Sequence, residues 1–338
     1  MKKNILGLLV LGLFVLPTSA FALNWTEQTS SGGHYSNSIA SSFDGMNLIT
    51  ADSEGGYIYT SDDSGVTWTA RTDAGIQYWL AVASSTDGTK LAAAGHPGYI
   101  FTSNDSGVTW TRRTSAGNRG WTSIALSSNG NKIAATDYFG YIYTSTDSGV
   151  TWTAQTNSGI HNWKSIASSS NGTKLAAVGQ NDTVYTSTDS GVTWTAQTSA
   201  GTRNWTSIAS SSDGNKLAAT AYGNKIYTST NGGATWTARD SNRGWFSIAS
   251  SSDGTKLAAT HNNGYIYSST NSGVTWTQET SAGYNVWLGI TSSADGTKLA
   301  VGGDLINIYT GIVPSIPGSA PSTNTGKLST PFTEATEI

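Results

Sequence analysis

The chain has 338 residues, with 18 basic and 21 acidic side chains giving a net charge of -3, and only 12% of its residues are charged. So few cations leave no basic field for phosphates, which argues against nucleic acid as a ligand, and the lack of cysteine excludes thiolate catalysis, disulfide staples and cysteine-ligated zinc. With 39 glycines and 10% aromatics, the composition favours turn-rich β-structure over helical bundles.

Residues 1–22 begin with Lys2 and Lys3, continue through an apolar run from Ile5 to Leu16, and end with Pro17 and the small-residue site Ala20-Phe21-Ala22. That order is the order of a secretory signal cleaved after Ala22, and the run is short of the ~20 apolar residues that span a bilayer. The expected location is secreted, periplasmic or cell surface, with no membrane insertion once the signal is removed.

From residue 23 to residue 310 the chain repeats itself. Trp68, Trp110, Trp152, Trp194, Trp236 and Trp276 close similar phrases at steps of 42, 42, 42, 42 and 40 residues. A second series, Trp79, Trp121, Trp163, Trp205, Trp245 and Trp287, follows the first by 11 or 9 residues. Each repeat holds four short runs of strand character, as in Trp163-Lys-Ser-Ile-Ala-Ser, Lys174-Leu-Ala-Ala-Val, Thr183-Val-Tyr-Thr-Ser and Thr193-Trp-Thr-Ala-Gln-Thr. The first two runs are joined by Asp-Gly or Asn-Gly at Asp44, Asp87, Asn129, Asn171, Asp213, Asp253 and Asp295, which predicts seven tight hairpins.

The third run recurs seven times, at Ile58, Ile100, Ile142, Val184, Ile226, Ile266 and Ile308, but the fourth follows it only six times. The missing copy is Asn24-Trp25-Thr26-Glu27-Gln28-Thr29, ahead of the first hairpin. This offset predicts an all-β, seven-bladed β-propeller of four-stranded antiparallel blades, closed by the N-terminal strand. An open solenoid would need polar capping repeats, and the outer repeats are as apolar as the inner ones. Residues 311–338 hold four of the six prolines among Ser, Thr and Gly, and a disordered tail is expected there.

The phrase Ser145-Thr-Asp147-Ser-Gly149-Val-Thr151-Trp152 resembles the Asp-box, or bacterial neuraminidase repeat, and it recurs around Asp63, Asp105, Asp189, Asn231 and Asn271. The resemblance implies a turn between third and fourth strands in which these residues accept backbone N–H bonds while Trp68, Trp110, Trp152, Trp194, Trp236 and Trp276 pack into the blade. The run of boxed repeats behind a signal is most similar to exported propellers of the photosystem II assembly and stability factor type, which are binding scaffolds. The box is shared with sialidases, sortilin-type receptors, xyloglucan hydrolases and propeller lectins, so it speaks to architecture more than activity.

The connections that differ among the copies are those from second to third and from fourth to first strand, and all four histidines lie in them. Tyr78, His96, Arg119, Tyr138, Phe139, His161, Arg203, Tyr222, Arg243, His261 and Tyr284 are the candidate contacts for a ligand, because loops on a rigid scaffold carry binding residues. The Trp79 series either rings a channel mouth or fills the gaps between sheets, and packing is the expectation. Sialidase chemistry needs an arginine cluster and a Tyr–Glu pair that this chain lacks. Paired-carboxylate hydrolysis would draw on Asp52, Glu54, Asp137, Asp182 and Asp304, most of which fall in the same loop of different repeats, too far apart in most combinations. His34, His96, His161 and His261 are likewise spread over separate repeats, so no metal site and no cofactor is expected. The reading is a monomeric, non-catalytic scaffold for a protein partner at the cell envelope, with a carbohydrate-binding lectin as the alternative and a glycoside hydrolase third.

Overall fold

The computed structural model describes residues 23–313, so the expected signal and nearly all of the expected tail lie outside the described residues. The described chain is all-β, its only helical segments being single 3-10 turns such as Thr72–Ala74.

Each sequence repeat folds as predicted into antiparallel strands. The second repeat shows the pattern, with Trp79–Ser84, Leu91–Gly95, Ile100–Ser103 and Thr111–Arg113 hydrogen-bonded in that order. Second strands such as Leu91–Gly95 are buried along their whole length, because neighbouring sheets cover both of their faces. Their Ala-rich sequences permit that close stacking. The N-terminal strand Asn24–Gln28 pairs with the last strand, Ile308–Ile312, and completes a four-stranded sheet with Trp287–Ser292 and Lys298–Gly303. That strand runs two residues beyond the expected boundary at 310. Gly311 pairs with Trp25 there, and a Cβ on it would lie 2.8 Å from the indole.

Several predicted loops are strand instead. Ile133–Gly140, Leu175–Asp182 and Leu217–Ser229 carry the second strand on into the next connection, and these extensions join the middle repeats into one fourteen-stranded sheet. The connections are thus tied down by backbone hydrogen bonds.

Both turn chemistries hold. The glycine of every Asp-Gly or Asn-Gly pair, from Gly45 to Gly296, has a positive φ, as a tight hairpin requires. In the second turn, Asp147 Oδ1 accepts from Ser145 Oγ at 2.8 Å and from the Thr151 N–H at 2.9 Å, while Thr151 Oγ1 donates to Oδ2 at 2.6 Å. Asp63, Asp105 and Asp189 repeat the arrangement. Asn231 and Asn271 keep the acceptor half and donate from Nδ2 to Thr235 and Thr275. The indole of Trp152 donates to Gly149 O at 2.9 Å, and Trp68, Trp110, Trp194, Trp236 and Trp276 do the same in their own turns.

The hairpins are also tied to one another. The Phe43 N–H donates to Thr86 O, Thr86 to Ser128, Ser128 to Ser170, Ser170 to Ser212, Ser212 to Ser252, Ser252 to Ala294, and Ala294 to Phe43, each at 2.7 or 2.8 Å. On the first strands, Ser38, Ser123, Ser165 and Ser207 each accept through Oγ the N–H of Val82, Ile166, Ile208 and Ile248 in the following repeat.

Candidate functional site

The Trp79 series packs between sheets, as expected. Trp79, Trp121, Trp163, Trp205, Trp245 and Trp287 are 0–1% exposed, and each meets the third-strand aromatic of its own repeat edge to face at 5.1–5.3 Å. Their rings belong to the scaffold, which leaves the connections above them as the surface where recognition can occur.

Those connections are clasped to one another. Ile306 bridges to His34, Gly56 to Gln77, Gly98 to Arg119, Gly140 to His161, Asp182 to Arg203, Asn224 to Arg243 and Gly264 to Asn285. The second residue of each pair, in five of the seven cases, lays a flat group over the next third-strand tyrosine. His34 stacks on Tyr59 at 4.2 Å, Arg119 lies over Tyr143 at 4.4 Å, Arg203 over Tyr227 at 4.2 Å and Arg243 over Tyr267 at 4.5 Å, while His161 leans against Tyr185 at 4.8 Å with its ring tilted by 48°. Four of the predicted contacts, Arg119, His161, Arg203 and Arg243, therefore turn their faces inward and hold the joint between repeats. Sequence reading missed this role.

The carboxylates near them are engaged as well. Asp52 lies 3.5 Å from His34, Asp137 3.5 Å from Arg119, Asp182 2.5 Å from His161, and Asp240 3.5 Å from Arg243. Burial raises the pKa of Asp137 despite the Arg119 guanidinium, and burial together with Asp182 pushes the Tyr185 phenol up to about 12. Burial and the Arg243 charge lower the pKa of His261, which sits beside Trp245 at the end of its strand. Glu54 and Asp304 are exposed.

A second ring of positions behaves differently. Ser53, His96, Tyr138, Gln180, Tyr222, Asn262 and Asp304 stand in the seven repeats just past the stretch of second strand that pairs with the first, within the strand extension in three of them. The N–H groups of Ser53, His96, Tyr138, Asn262 and Asp304 are fixed to carbonyls of Tyr35, Tyr78, Gly120, Gly244 and Val286. The backbone is common, and the side chains are nearly all different. Tyr138 and Tyr222 are exposed, and exposed Tyr78, Phe139 and Tyr284 flank the ring. Tyr138 and Phe139 touch at 4.4 Å, with Phe139 held at a φ of 52° on the loop tip.

Three members of this ring, Gln180, Tyr222 and Asn262, line a cavity of about 460 Å³ among the first strands, together with Asn37, Lys164 and Phe246 among others. Lys164 is its single charged lining residue. Lys164 Nζ stands 5.2 Å above the Tyr138 ring, and burial lowers its pKa. No carboxylate lines the cavity, and of the predicted contacts only Tyr222 does. Lys164, Phe246 and Asn37 were not among the predicted residues. The signal was present, because the position after the buried Trp reads Leu80, Thr122, Lys164, Thr206, Phe246 and Leu288 inside an otherwise repetitive strand.

No protein-family model matches the chain, and no curated protein matches it. Among solved structures it resembles YCF48 bound to D1 peptide, with a TM-score of 0.66 and 17% identity over 87% of this chain and 97% of that one. It also resembles YCF48 from Cyanidioschyzon merolae, with a TM-score of 0.63 and 17% identity over 86% and 99%. A third likeness is to the GH74 enzyme of Niastella koreensis, at a TM-score of 0.68 and 18% identity over 85% of this chain but only 53% of that one. The chain thus spans about half the length of the GH74 enzyme. At these identities the likeness establishes a β-propeller fold, shared by proteins of different function.

Proposed function

We propose that the chain is an exported, monomeric, seven-bladed propeller of Asp-box repeats, closed by its N-terminal strand, that binds a segment of a protein partner at the cell envelope and performs no chemistry. The cycle of seven hairpin hydrogen bonds and the pairing of Asn24–Gln28 with Ile308–Ile312 support the closed seven-fold reading. The cleavage site at Ala22 supports export.

The observation that carries the binding reading is the ring of dissimilar side chains on a hydrogen-bonded backbone, opening onto a cavity lined by amides, aromatics and one lysine. Rigid placement of Tyr, His and Asn gives contact area at low entropic cost. The peptide seen on one YCF48 structure agrees with a protein ligand. Hydrolysis is disfavoured because Asp137 is paired with Arg119, Asp182 lies against His161, and neither carboxylate lines the cavity.

A photo-crosslinking residue at Tyr222 or Tyr138, in cells of the producing organism, tests this. Attachment to one protein, absent when the crosslinker sits at exposed Val108 in the uniform turn, is the expected result. A glycan-array signal lost in Tyr222→Ser would instead favour a lectin, and turnover of a polysaccharide would end the non-catalytic reading.

A further inference from the structure

The residue three places after the Trp that leads into or lies on each fourth strand is a hydrogen-bond donor in every repeat except one. Arg71, Arg113, Gln155, Gln197, Arg239 and Gln28 donate to the hydroxyls of Thr60, Thr102, Thr144, Thr186, Thr228 and Thr310 at 2.6–2.9 Å. In the remaining repeat the position is Glu279 and its partner is Ser268, so the direction of the bond reverses and the Ser268 hydroxyl donates to Oε1. Glu279 is 2% exposed, the most deeply buried residue of the set. Burial raises its pKa.

The odd carboxylate stands where the chain enters the fold. Glu279 Oε2 accepts the Leu23 N–H at 3.2 Å, Ser281 Oγ donates to Leu23 O at 3.0 Å, and Leu23 is itself 4% exposed. Among the described residues no Lys, Arg or His forms an ion pair with Glu279. A carboxylate without a cation is costly in such a place, and a glutamine would fit, as it does at three equivalent positions. The signal cleavage expected from the sequence, however, falls directly before Leu23. Hydrolysis of the Ala22–Leu23 peptide bond consumes one water and leaves a carboxylate on Ala22 and an ammonium on Leu23.

We propose that Glu279 is a built-in receptor for the Leu23 α-ammonium, so that removal of residues 1–22 creates a buried ion pair that locks the opening strand against the neighbouring repeat. This rests on the export processing proposed above. Before cleavage the nitrogen offers one neutral N–H, and afterwards it offers a charge-assisted bond from a full cation. The opening strand is then held along one edge by Ile308–Ile312 and, at Leu23 just ahead of it, by Glu279 and Ser281. Maturation would thereby finish the fold as well as release it.

The test uses residues 23–338 released from a cleavable fusion so that Leu23 is the first residue, and the same chain preceded by Ala-Ala. Each is made with Glu279 and with Glu279→Gln. The Leu23-first chain should unfold on the order of tenfold or more slowly than the extended one, and Glu279→Gln should erase that difference while both variants fold. Equal unfolding rates for the two Glu279 chains, or a difference that survives in Glu279→Gln, would overturn the pairing. N-terminal sequencing of the protein from a secretion-competent host is read separately. A start other than Leu23 would refute the processing while the fusion-derived chains still report on the pairing.

Discussion

The joint between the last and first repeats differs from the joints inside the array. Inside, a buried Trp fills each gap, and the aromatic of its third strand meets it edge to face, as Trp163 meets Tyr185. At the closing joint the corresponding position is Ser36, three residues before Ile39 as Trp163 is three before Ile166, so the fully buried Trp has no counterpart and the half-buried Trp68 packs against the apolar cluster there. Backbone approaches more closely there instead. A Cβ on Gly302 would collide with Ser36, and one on Gly289 would lie 2.8 Å from Asn37 O. His34 stacked on Tyr59 supplies the aromatic contact. Internal joints are thus held by side-chain volume, and the closing joint by strand pairing and tight backbone packing.

Breaking the closing joint at its strand should have the largest effect. Deleting residues 23–30 removes the strand bonded to Ile308–Ile312 and the Leu23 contacts together. The expected outcome is loss of the cooperative unfolding transition by circular dichroism, and a truncated chain that melts like the intact one would refute closure by this strand. Next in size is Trp163→Ala, which should cost about 3–5 kcal/mol in denaturant unfolding through the cavity it leaves. The equivalent change at the seam, Ser36→Ala, should be neutral or slightly stabilising. The Ser36 hydroxyl is buried with no hydrogen-bond partner among the described residues, and an unpaired polar group is a net cost. Equal losses at the two positions would erase the distinction between the joints.

Acid separates the turns in a similar way. Asp105 and Asp147 are lowered to about 2, chiefly because Thr109 and Thr151 donate to them through hydroxyl and backbone N–H. Carboxylates held low contribute stability that is present above the unfolded value of 3.8 and is lost as pH falls through about 2. Asn231 and Asn271 do not titrate. The Thr151 amide resonance should therefore shift as pH falls through about 2 while that of Thr235 stays fixed, which an NMR titration reads directly.

Much of this was legible in the sequence because it recurs. The 42-residue period, the Asp-Gly turns and the displaced fourth strand at Trp25 each follow from local chemistry copied many times. The seam was legible as pairing but not as packing, because Ser36 looks like any loop serine until its place opposite Gly302 is known. The loop contacts were the weakest part. Arg119, Arg203 and His161 read as free polar tips, and only the fold brings them over tyrosines 24 residues further along the chain, at Tyr143, Tyr227 and Tyr185. Lys164 was passed over for the opposite reason, since a residue within a strand reads as scaffold, yet its position faces the cavity.

The smallest stability effects should distinguish the two rings on the varied face. Arg203→Ala removes a guanidinium packed 4.2 Å over Tyr227 and should cost about 1 kcal/mol, a value in the range for a cation over an aromatic ring. Tyr222→Ser alters an exposed side chain whose backbone stays paired with Gly244, so thermal unfolding should be unchanged within error. Binding should show the reverse order. If the displayed ring is the recognition surface, Tyr222→Ser weakens capture of the crosslinked partner while Arg203→Ala leaves it nearly intact. An Arg203→Ala variant that binds worse than Tyr222→Ser at equal folded fraction would move the recognition surface from the displayed ring to the stacked one.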